Sequence, residues 1–87
     1  FNSRPHVAGD KANAVKYKVT ADPFLNVRDK RSINGNIVGS IADGSTVYLK
    51  AVRTNRYGNT WGKIASGAYK GRFVAVKFAG DTLAKKV

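Results

Sequence analysis

The shortness of its apolar runs most constrains what this chain can fold into. From Lys16 onward a turn signal recurs roughly every 8–12 residues, and the segments between signals alternate apolar with polar residues. Tyr17 and Val19 alternate with Lys18 and Thr20, and Leu25 and Val27 with Asn26 and Arg28. Val47 and Leu49 alternate with Tyr48 and Lys50, and Val74 and Val76 with Ala75 and Lys77. A period of two puts every second side chain on one face, which describes a half-buried strand and not a helix. Composition agrees: Glu, Gln and Met are absent, and 10 Val and 4 Ile stand against 3 Leu. β-Branched residues fit a pleated surface, whereas the missing ones are those a helix would expose to water.

The breaks between runs set the organisation. Asp22-Pro23 interrupts the first strand, since proline lacks the ladder N–H. Asn34-Gly35 marks the tip of a polar loop over 29–36 and reads as a two-residue hairpin turn with positive φ at both positions. Asp43-Gly44 is a second tight turn, and Gly58, Gly67 and Gly71 punctuate the remainder. Residues 1–15 show no period and read as a linker or tail; 16–80 form the fold; 81–87 read as a C-terminal tail or short helical turn. Five to six short antiparallel strands are too few for two large sheets. Closure into a small all-β barrel removes the exposed edges that a lone sheet would leave.

Function classes fall away quickly. A chain of 87 residues builds one small core with little room for a deep cleft. Without Cys there is no disulfide scaffold, thiolate zinc site or Cys nucleophile. His6 is the sole histidine, so no Ser-His-Asp or multi-histidine metal constellation can be assembled. All five acids are Asp, and four lie in tail, turn or loop contexts where Asp serves backbone hydrogen bonding. No dinucleotide fingerprint or P-loop is present, and no run of about 18 apolar residues spans a membrane. The expectation is a binding module, with no catalytic residue, metal or cofactor. Phe1, in place of an initiator Met, predicts a piece of a longer protein or a processed form.

Several elements, taken in order, resemble the bacterial SH3 (SH3b) family. They are Tyr17-Lys18-Val19, then Leu25-Asn26-Val27-Arg28 with the polar loop carrying Ser32, then Ile37-Val38-Gly39-Ser40-Ile41. Asp43-Gly44 leads into Val47, followed by Trp61-Gly62-Lys63-Ile64 and Gly71-Arg72-Phe73-Val74. In one departure, Arg72 stands between Gly71 and Phe73, where the family usually has an aromatic directly after glycine. The resemblance implies an SH3-like barrel that serves as an accessory module of cell-wall hydrolases such as phage endolysins or autolysins. It implies an extracellular or wall-associated place, a linked catalytic domain, and peptidoglycan with its peptide cross-bridges as partner.

The candidate site residues follow from exposure and chemistry. Trp61 reads either as a stacking platform in a groove or as a barrel filler. Tyr57 and Tyr69, in loops, offer amphipathic contact area, whereas Tyr48 reads as packing. Asn26 and Arg28 point outward if Leu25 and Val27 point in. Arg28 then either clamps a ligand carboxylate or braces the long loop through Asp29 or Asp43. Lys30, Arg31, Arg56 and Arg72, with Arg53 and Lys70, supply a basic margin. A formal charge of +11 steers such a domain toward polyanions: anionic wall polymers, or nucleic acid as the rival partner of a small basic β-barrel. A third reading is a structural interaction module of a phage or envelope protein, and a merely solvated surface is the bland alternative.

Overall fold

The computed structural model describes residues 14–87; most of the expected tail, with His6, lies outside the described residues. Eight strands follow in order: β1 (Val15–Val19), β2 (Phe24–Arg28), β3 (Ile37–Ala42), β4 (Thr46–Thr54), β5 (Thr60–Ile64), β6 (Phe73–Phe78), β7 (Asp81–Thr82) and β8 (Ala84–Lys86). All pairings are antiparallel, in the order β3-β2-β6-β5-β4-β1-β8, with β7 on β6. Among the described residues no helix is long and apolar enough to cross a membrane. The fold is all-β and barrel-like.

The C-terminal stretch draws the wall together. After β7 pairs with β6, the Leu83 amide donates to the Val76 carbonyl at 2.7 Å, and the Leu83 carbonyl accepts from Thr20 at 2.9 Å and Ala21 at 3.1 Å. β8 then runs beside β1, with Tyr17 opposite Lys86 and Val19 opposite Ala84. Asp81–Thr82 and Ala84–Lys86 are thus strands, not the helical turn or tail expected, and the described residues form eight strands rather than five or six. The turn responsible is Ala79-Gly80, with φ of 52° and 86°, the two positive values a type I′ hairpin requires. Alanine is an uncommon residue there, so the sequence carries little warning of it.

Asn34-Gly35, the stronger hairpin signal, is used differently. The Gly35 amide donates to the Ser32 carbonyl at 3.0 Å, so Gly35 closes a four-residue turn without left-handed backbone. It is glycine for lack of space: a Cβ would lie 2.9 Å from the Lys30 amide nitrogen and 3.1 Å from Asp29 Oδ1.

The core gathers Val19, Leu25, Val27, Val47, Leu49, Ile64, Val74, Val76 and Ala84, which are the inward positions of the alternating runs. On β5, Ile64 and Gly62 face inward, and a Cβ on Gly62 would lie 3.0 Å from Leu49 Cδ1. Trp61 and Lys63, each one residue out of step, therefore face outward. On β4 the register shifts between Lys50 and Arg53. Ala51, at φ 50°, takes up the extra residue, and Val52 returns to pack against the core. The bulge turns Lys50 and Arg53 to the same outer face, which strict alternation would forbid.

Candidate ligand-binding cleft

The loop over 29–36 builds the site. Asp29 closes its base: its carboxylate accepts from the Asn36 amide at 2.8 Å and from Asn36 Nδ2 at 3.2 Å. Arg28 Nη1 donates to the carbonyls of Ile33 at 3.0 Å and Gly35 at 2.9 Å. Arg28 is therefore a brace, as one of its two readings held, but its partners are carbonyls and not an aspartate. Arg31 reaches out of the loop to β4 and β5. Its Nη1 donates to the Ala51 carbonyl at 2.8 Å and to the Trp61 carbonyl at 3.1 Å, and its guanidinium lies over the Phe73 ring at 5.0 Å. The bulge thus exposes a carbonyl that Arg31 satisfies, and the loop is pinned across the outer face.

Under this cover Trp61 is only 3% exposed, yet it lies outside the main core cluster. It is neither an open platform nor a barrel filler; it is buried on the outer face of the sheet. Phe78 meets it edge to face, with ring centroids 6.4 Å apart. The two rings and Leu25 line a cleft of about 260 Å³, walled by Phe24 and Ile33, each about half exposed. Asn26 and Asp22 bring an amide and a carboxylate to the same cleft. A slot of this kind can take a short, small side-chain segment, apolar on one side and hydrogen-bonding on the other.

A second cleft of similar size lies beside the β5–β6 turn, between Ile41, Tyr48, Ile64 and Tyr69. The Tyr69 ring lies against Gly39, and any Cβ there would collide with it. Tyr69 thus belongs to this cleft and not to the one with Trp61.

The sequence-predicted groove of Trp61, Tyr57 and Tyr69 is therefore divided. Asn26, Arg28 and Trp61 share the first cleft. Tyr57 stands 73% exposed on the β4–β5 turn with Arg56 Nη2 donating to its hydroxyl at 3.1 Å and the guanidinium 5.2 Å from its ring centre. That turn is held by Asn55 Oδ1, which accepts from the amides of Tyr57 and Asn59 at 2.9 and 3.1 Å. Lys30 is exposed on the long loop and Arg72 in the turn before β6. Arg31 alone of the accessory basic residues is built into the cleft's cover. Its pKa is lowered, first by desolvation and then by the neighbouring charge of Arg53. Phe24, Ile33, Phe78 and Asp22 were missed. Phe24 directly after Pro23, at an outward position, was the one available signal.

Among the described residues no cluster of three or more His, Cys, Asp or Glu could hold a metal ion. No protein-family model, curated protein or solved structure matches this chain.

Proposed function

We propose that the chain is a non-catalytic module that binds the bacterial cell wall and targets a linked wall hydrolase to it. The ordered resemblance to SH3b domains supports this reading, and the all-β barrel-like fold is compatible with it. The observation that carries it in the structure is the cleft beneath the pinned loop, where aromatic walls adjoin the Asn26 amide and the Asp22 carboxylate. Wall peptides are short, rich in small residues and amide-bearing, so they match a slot of about 260 Å³. Contact area this small gives single-site affinity of about micromolar or weaker, and tethering to an enzyme multiplies it through effective concentration.

The test is co-sedimentation with purified sacculi, before and after chemical removal of their anionic polymers. Phe24→Ser together with Asn26→Ala alters the cleft at positions outside the fully buried core. The folded double variant is expected to lose binding to stripped sacculi, which the parent retains. Undiminished binding by the folded variant, or no binding by the parent, overturns the reading.

A further inference from the structure

The outer face of the sheet carries a second arrangement beside the cleft. Register places Arg28, Phe73, Lys63 and Lys50 opposite one another across β2, β6, β5 and β4. Directly opposed residues share a face, with Cβ atoms about 4.5–5.5 Å apart. Lys50 and Lys63 are such a pair, a like-charge juxtaposition that ordinarily destabilises a sheet. The bulge at Ala51 adds Arg53, opposite Trp61, to the same face. Arg31 lies over Phe73 between them. Of the four described aspartates, Asp22 lines the cleft, Asp29 is bonded to Asn36 at the loop base, Asp43 lies in the β3–β4 turn and Asp81 on β7.

We propose that Lys50, Lys63 and Arg53, with Arg31 beside them, form a binding site for a base-free phosphodiester polymer of the poly(glycerol phosphate) type. The polymer's source, an anionic wall polymer, rests on the wall-binding reading above; the site itself does not. Charges repeat along and across the strands at about 5–7 Å, a pitch on which a flexible polymer with one phosphate per three-carbon unit seats successive charges. Burial first, and the neighbouring charge of Arg53 second, lower the pKa of Arg31. A nucleic acid would also supply phosphates, but its single strands gain from aromatic stacking. Here Phe73 is capped by Arg31 and Trp61 is buried, so the two rings nearest these cations are closed to stacking.

The experiment measures binding of a defined poly(glycerol phosphate) oligomer, and of a single-stranded oligonucleotide of equal charge, across a salt series. Lys63→Gln with Arg53→Gln is compared with Lys85→Gln and Lys86→Gln, which remove the same charge from β8. The site variant is expected to weaken oligomer binding roughly tenfold or more at low salt and to reduce the salt slope, since each Lys or Arg near an anionic surface contributes appreciably. Its thermal midpoint should be unchanged or higher, because like-charge repulsion is relieved. The β8 variant should lose far less. Equal losses in both variants, or none in the site variant, overturn the site; tighter oligonucleotide binding through the same residues overturns the polymer assignment. Stripped sacculi separate the two proposals: a parent that binds the oligomer but not stripped sacculi refutes the cleft and leaves this site standing.

Discussion

β4, β5 and β6 present two faces that are sealed in different ways. Inside, Leu49, Ile64 and Val74 interdigitate with Val19, Val27 and Val47, and burial of aliphatic surface alone accounts for the closure. Outside, Trp61 is nearly as well buried, but its cover is a polar loop held by two arginines and an aspartate. The first seal is non-directional and tolerates apolar side chains of about the right volume. The second depends on individual donors meeting individual carbonyls. An equal degree of burial therefore conceals unequal robustness.

That contrast can be broken from the inside first. Leu49→Ala leaves a cavity in the fully buried core and should cost about 2–5 kcal/mol, enough to unfold much of so small a domain; chemical denaturation checks it. Displacing the Tyr69 ring with Gly39→Ala should cost about 1–3 kcal/mol through overpacking, with the Trp61 side unaffected. Arg31→Gln tests the outer seal and should cost about 1–2 kcal/mol. Because Trp61 is the only tryptophan, the loop's release should appear as red-shifted emission and faster acrylamide quenching in a still folded chain. Global unfolding by Arg31→Gln, with no separate emission change, would erase the distinction between the two seals. The smallest effect has the opposite sign: Ala79→Asn suits left-handed backbone at an exposed turn and should stabilise the barrel by about 0.5–1 kcal/mol without altering Trp61 emission.

Legibility followed the same division. The inward positions of β1, β2, β4 and β6 were readable because alternation is a property of the strand itself. The outer face was not, because three of its determinants are long-range. The bulge that brings Lys50 and Arg53 together has no local signature beyond Ala51 in unfavourable backbone. Arg31 finds its acceptors 20 and 30 residues away in the chain. Tyr69 was grouped with Trp61 because both are aromatic, yet its ring lies against Gly39 and lines the second cleft. Residues 81–87 escaped notice because Leu83 and Ala84 find their places only against strands already assembled.

The pairing of β8 with β1 also governs how the domain answers a mechanical load. The Val87 amide donates to the Lys16 carbonyl at 3.0 Å, so the two ends of the described chain meet at one corner. Tension applied between them pulls across an antiparallel pair, along its hydrogen bonds and not along its strands. The bonds then break one after another, like a zipper, instead of resisting together in shear. Anchored at a single end, the same domain transmits no force through that seam. The strand order thus makes it yield readily as a link in a chain under strain, and hold its shape as a tethered pendant.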